Sequence, residues 1–151
     1  FASDLLEYGT REDVDIAVAI LGYNDLKRGE ASGSDVAEVL LELRRLYLAR
    51  GVDLILVTIG QGRPHLEAER LAANARLLAE GDAVDCDQLT GALDPILWEN
   101  PEHLSAEGYR KMGFLLARAL VNRAGRILKG AEGLEAVDME HNALVANRRL
   151  L

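Results

Sequence analysis

The sequence predicts an α/β fold built on a parallel sheet, and three observations lead there. Two short stretches, "VDIAVAIL" (Val14 to Leu21) and "VDLILVTI" (Val52 to Ile59), are nearly continuous apolar runs. Strands covered on both faces read that way, whereas half-solvated strands alternate apolar with polar. Helical patterns alternate with these runs, as they do in βα units. The chain of 151 residues, close to half of them hydrophobic, is long enough for one domain with a core.

Taken in order, the first apolar run is expected to be a buried strand ending in "LGYND" (Leu21 to Asp25). In "SDVAEVLLELRRLYLAR", Val36, Val39, Leu40, Leu43 and Tyr47 recur at helical spacing, which predicts one apolar helix face. Gly51 is placed to end that helix, since it tolerates positive φ. The second run is the next strand and ends in "TIGQGRPH" (Thr58 to His65). A weaker stripe of Leu66, Ala73 and Leu77 predicts a second helix, stopped at Gly81. "AVDCD" (Ala83 to Asp87) could be a third strand. The long helix after His103 places Tyr109, Met112, Leu116 and Leu120 together. In the tail, Leu134, Val137, His141, Leu144 and Val145 approximate a further stripe, a short helix docked on the body or on a partner.

Composition removes several function classes. The formal net charge is −8 and no basic run interrupts it, which argues against a nucleic-acid partner and against anionic membranes. No apolar run approaches the ~20 residues that span a bilayer. The single cysteine, Cys86, excludes an internal disulfide framework and leaves the compartment open. The three histidines lack a recognised ligand spacing, so no metal is implied, and no cofactor either. The chain starts at Phe1, and "FASDLLEYGTRED" has neither the basic start nor the apolar core of a signal peptide. Residues upstream of Phe1 are therefore expected.

Chemistry-bearing residues cluster where strands end. In open α/β sheets the carboxyl ends of strands line the ligand crevice. There Gly22 permits a tight turn with an accessible N–H, and Asn24 can offer an amide donor of the kind an oxyanion needs. Gly, Asn and Asp are also ordinary turn residues, and "GYND" alone reads first as a plain turn. The glycines of "GQG" are not a phosphate loop, because the lysine of GxxxxGK[ST] is absent. His65 reads as a solvated residue near a helix start. His103, in the loop-like "NPEHLSAEGY", is the better base candidate. Ser105 can cap the following helix, Glu107 suits its first turn, and the nearby helix N-terminus favours a neutral imidazole.

The two signals together resemble a known family. "GYND" after a buried strand looks like the GxND block of the SGNH, or GDSL, hydrolases. "NPEHLSAEGYRKMG" looks like their terminal DxxH block, whose histidine precedes a helix, and the spacing of the two blocks is similar. "ERLAANARLLAEGDAVDCDQL" looks like the stretch leading to the family's last strand. The resemblance covers about Val14 to Val121. It implies a flavodoxin-like three-layer sandwich over residues 1–125, incomplete at its N-terminus, with a helical extension over 126–151. It implies oxyanion-hole roles for Gly22 and Asn24, a base role for His103, and one crevice shared by Asn24 and His103.

Two departures accompany the resemblance. The family's nucleophile lies in an N-terminal "GDS" block, which does not occur in these residues. "SGSD" around Ser34 has the wrong order and position, and Ser3 in "FASDLL" is a poor match. The acid of DxxH falls on Asn100, whose amide can orient the ring but cannot supply a negative charge. Glu99, Glu102, Asp94 or a backbone carbonyl are the substitutes. The expectation is thus a GDSL-type ester hydrolase domain (esterase, lipase or deacetylase class) lacking its nucleophile, inactive by itself, for a small-molecule ester. The alternative is a non-catalytic binding or scaffold domain of the same ancestry, and a third reading is an unrelated flavodoxin-like α/β domain. A chain without its upstream strands would expose Val14 to Leu21 as an edge. It would then self-associate, or pair that strand with another segment such as its own tail or an N-terminal fragment.

Overall fold

The computed structural model describes residues 6–7, 9–11, 13–89, 96–100 and 103–130, the side chains of residues 89 and 128–130 excepted. The expectations for Ser3, Asp94, Glu102 and the tail stripe of Leu134, Val137, His141, Leu144 and Val145 lie outside the described residues. The chain divides into two compact units, 1–115 and 116–151.

In the first unit the order is β1 (Ile16–Ala19), α1 (Tyr23–Arg28), α2 (Gly33–Leu48), β2 (Asp53–Leu56), α3 (Glu67–Gly81), β3 (Trp98–Asn100) and β4 (His103–Leu104). A 3-10 turn, Pro64–Leu66, leads into α3, and another, Cys86–Leu89, follows it. The final helix, α4 (Ala106–Gly130), starts in the first unit and supplies the described residues of the second. The boundary expected between residues 125 and 126 therefore falls inside a continuous helix.

β1 and β2 pair in parallel, Ile16 opposite Asp53 and Ala19 opposite Leu56. The ladder extends one residue further, where the Val57 N–H donates to the Ala19 carbonyl at 3.0 Å. "AVDCD" contributes a single parallel bridge, Val84 opposite Val57, rather than a full strand. The chain turns into the 3-10 segment at Cys86, and its N–H donates to the Thr58 hydroxyl at 2.7 Å instead of continuing a ladder.

The core sits between this sheet and helices α2 and α3. Leu54, Ile55, Leu56 and Leu77 are fully buried. α2 begins at a capping box, in which Ser32 accepts the Asp35 N–H and the Asp35 carboxylate accepts the Ser32 N–H. Its buried face is Val36, Ala37, Leu40, Leu41 and Tyr47. Val39, expected on that face, is instead 67% exposed. It lines an apolar groove of about 610 Å3 along α2, together with Leu21, Leu43 and Leu46. α3 buries Ala73 and Leu77 as the sequence pattern predicts, and ends at Asp82 in the left-handed conformation.

The two strands are not equivalent. β2 buries Leu54, Ile55 and Leu56, whereas Val18 of β1 is 39% exposed and Ile20 just beyond it 57%. The uniform burial expected for both runs therefore fails at β1. Among the described residues β1 has one strand neighbour and β2 has a partner on each side. In α4, Met112 is buried but Tyr109 is exposed, so the expected stripe does not include the tyrosine. No helix among the described residues is long and apolar enough to cross a membrane.

Candidate functional site

Gly22 ends the first strand segment in a conformation reserved for glycine, with φ of 103°. It precedes α1, so Tyr23, Asn24 and Asp25 form that helix's first turn. A Cβ at Gly22 would lie 2.8 Å from Val36 Cγ1 and 3.0 Å from Ile59 Cδ1. The missing side chain thus lets the turn sit directly on α2 and on the segment after β2. A cleft of about 560 Å3 opens there, lined by Gly22, Tyr23, Asn24 and Arg28 on one side and Thr58, Ile59 and Gly60 on the other. Gly22 is buried, while the Asn24 side chain is solvent-accessible within this cleft.

The floor after β2 is held by two residues that sequence reading passed over. Asn74 accepts the Ile59 N–H at 2.8 Å and donates to the Ile59 carbonyl at 2.8 Å, binding both polar groups of one residue. Arg70, only 3% exposed at its side chain, donates to the same carbonyl at 3.0 Å. Its remaining donors meet Glu67 at 2.7 and 2.8 Å and Asp87 at 2.8 and 2.9 Å. The hydrogen bonds that Arg70 donates to Glu67, more than the charges themselves, push the Arg70 pKa up, and Arg70 in turn holds the Glu67 carboxyl below its usual range. The available signal was the i, i+4 spacing of Arg70 and Asn74 on the helix that follows the strand end.

His103 is not in a loop. It begins β4, opposite Asn100 of β3, in a short antiparallel hairpin with an irregularity between Trp98 and Asn100. The Asn100 Oδ1 accepts the His103 backbone N–H at 3.0 Å and faces the ring Nδ1 at 3.1 Å. With the backbone N–H already donating to that oxygen, the contact suits the neutral tautomer that carries its proton on Nδ1 and its lone pair on Nε2. That is the tautomer a general base needs, although a neutral amide cannot stabilise the resulting imidazolium as a carboxylate does. Glu99 is exposed and makes no hydrogen bond to the ring.

Ser105 ties the hairpin to α4. Its hydroxyl accepts the Gly108 N–H at 3.1 Å, and its own N–H donates to the Leu97 carbonyl at 2.9 Å. A Cβ at Gly108 would collide with the Leu97 carbonyl oxygen, so only glycine permits this approach of helix to hairpin. Glu107 lies in the first turn, paired with Arg110 at 2.8 Å.

The structure thus brings the predicted residues together in two pairs. Gly22 and Asn24 share the cleft, and Asn100 and His103 share a hydrogen bond. Of the hairpin, the Trp98 indole reaches the cleft floor, where its Cη2 would lie 3.2 Å from a Cβ at Gly60. His103 itself is exposed and is not among the residues lining the cleft. His65 is exposed at the 3-10 turn, and Ser34 lies on α2, where its hydroxyl accepts from Arg76. Cys86 is buried, and burial pushes its thiol up to about 11, so it is not a thiolate nucleophile at neutral pH. No group of three or more His, Cys, Asp or Glu among the described residues is arranged to hold a metal ion. Comparison with family models, curated proteins and solved structures finds no match to this chain.

Proposed function

We propose that this chain is an SGNH-type α/β domain that contributes the oxyanion-binding and base residues of an ester-hydrolase site. In this reading the substrate carbonyl enters the cleft. The Gly22 N–H and the Asn24 amide donate to the oxygen on which negative charge develops, and His103 Nε2 takes a proton from the attacking hydroxyl. The nucleophilic serine is the one part that the reading assigns to no residue of this chain. The observation that carries the reading is the Asn100–His103 pair, set in a hairpin that packs against the floor of the Gly22–Asn24 cleft.

A second reading, a binding or scaffold domain of the same architecture, draws on two observations. The acid position holds an amide, and His103 stands outside the cleft lining. Titration of the chain with dimethyl succinate, followed through backbone amide signals, separates the two. The hydrolase reading expects saturable shifts at Gly22, Asn24 and Gly60, a response of the His103 ring, and no serine labelled by a phosphonate probe. Unmoved signals at Gly22 and Asn24 would leave the scaffold reading. A labelled serine would instead identify a nucleophile inside the chain and overturn the expected inactivity.

A further inference from the structure

Two charged side chains line the cleft, Asp25 and Arg28. They differ in what else they touch. Asp25 also lines the apolar groove along α2, so it stands on the ridge between the two depressions, whereas Arg28 lines the cleft alone. Elsewhere in the first unit arginines are engaged: Arg70 by Glu67 and Asp87, Arg76 by Glu38 and Glu80, Arg45 by Glu42. Arg28 makes no ion pair or hydrogen bond among the described residues, in a chain whose net charge is −8. An unpaired guanidinium at the wall of a cleft is a ready partner for a planar anion.

Its position relative to Asn24 gives the spacing. Residues four apart on a helix lie on one face, with Cβ atoms about 5–6 Å apart. Asn24 and Arg28 therefore point along the same wall of the cleft, one turn from each other. We propose that the cleft selects small esters that carry a carboxylate a few carbons from the ester carbonyl, the carbonyl at Asn24 and Gly22 and the carboxylate at Arg28. This refinement rests on the ester-cleft reading above.

The test measures binding to the whole chain at low ionic strength with three probes of similar size. Monomethyl succinate is anionic, dimethyl succinate is neutral, and a trimethylammonium butanoate methyl ester is cationic. Monomethyl succinate is expected to bind about threefold to fivefold more tightly than dimethyl succinate, the upper part of the range of one solvent-exposed ion pair. Arg28→Gln removes that preference, Arg28→Lys keeps part of it, and added salt weakens it. Arg28 is exposed and unpaired, so neither substitution threatens folding. Equal binding of the anionic and neutral esters at Gly22 and Asn24 would overturn the selectivity while leaving the ester cleft standing. Preference for the cationic ester would hand the selection to Asp25 and overturn it as well. Failure of all three esters to move those amides would remove the ester-cleft reading itself, and the proposal with it.

Discussion

The Asn100 side-chain oxygen serves two donors of one residue, the His103 backbone N–H at 3.0 Å and the ring Nδ1 at 3.1 Å. It therefore does two jobs, closing the β3–β4 hairpin and orienting the imidazole. Asn100→Ala removes that acceptor from both groups, so the His103 amide should exchange faster and its ring NMR signals should shift. An amide whose exchange is unchanged would mean that another group closes the hairpin and orients the ring.

The Asn74→Ala substitution should be costly well beyond its size. It leaves the buried Ile59 N–H without a partner and takes one of two donors from the Ile59 carbonyl. An unmet buried donor costs about 1–3 kcal/mol. Unfolding in urea should show a loss of about 2–3 kcal/mol, with amide shifts concentrated at Ile59 and Gly60. A loss below ~0.5 kcal/mol would mean that water replaces the amide at no cost.

Much of this architecture was legible in the sequence, and the parts that were not have physical reasons. The parallel pairing of the two runs follows from their nearly uninterrupted apolar sequence, and Ser105 capping α4 follows from local chemistry. The Arg70–Asn74 clamp was hidden because its partners, Ile59 and Asp87, lie 11 to 17 residues away and are joined only by the fold. The β3–β4 hairpin was hidden because a two-residue strand has no periodicity to read. Val39 and Tyr109 misled because a spacing rule places a residue on a helix stripe but does not say how wide the covered stripe is. Two paired strands and one bridge are shared by many α/β folds.

Gly22→Ala tests the cleft's backbone. Alanine must adopt a φ of 103° and place a methyl 2.8 Å from Val36 Cγ1. Strain of this kind costs of order 1–3 kcal/mol. Thermal unfolding should fall accordingly, and the signals of Asn24 should shift with it. Unchanged stability would show that the turn relaxes to another conformation without cost.

The acid limb of stability should involve Glu67. Its folded pKa is held below the ordinary value by hydrogen bonding to Arg70. A depressed pKa means stabilisation that is present above the unfolded value, near pH 4, and lost as pH falls through the folded one. Between neutrality and pH 5 the contribution is therefore constant. Glu67→Gln should lower stability at pH 7 and flatten its decline below pH 4. Parallel stability curves for the two proteins down to pH 3 would show that the pair contributes no linkage.

The last prediction concerns the outer side of β1. Val18 is 39% exposed, next to a row of backbone groups that has a strand neighbour on the β2 side only, among the described residues. An apolar strand of this kind is a template for pairing with a second copy. Burying its side chains contributes about 25 cal/mol per Å2 of apolar surface. The net charge of −8 on each copy opposes the encounter. Salt screens that repulsion and strengthens apolar burial or leaves it intact, so association should increase with ionic strength, the reverse of a charge-driven contact. Sedimentation across a concentration series at 20 mM and 500 mM salt, where the Debye length falls from roughly 20 Å to about 4 Å, should show self-association that is stronger at the higher salt. Val18→Lys places a charge on that strand and should return the chain to monomer at both salts, with its helical content retained by circular dichroism. A wild-type chain that stays monomeric at high salt, with slow amide exchange along Ile16–Ala19 on both sides, would mean that β1 finds its second neighbour within its own chain.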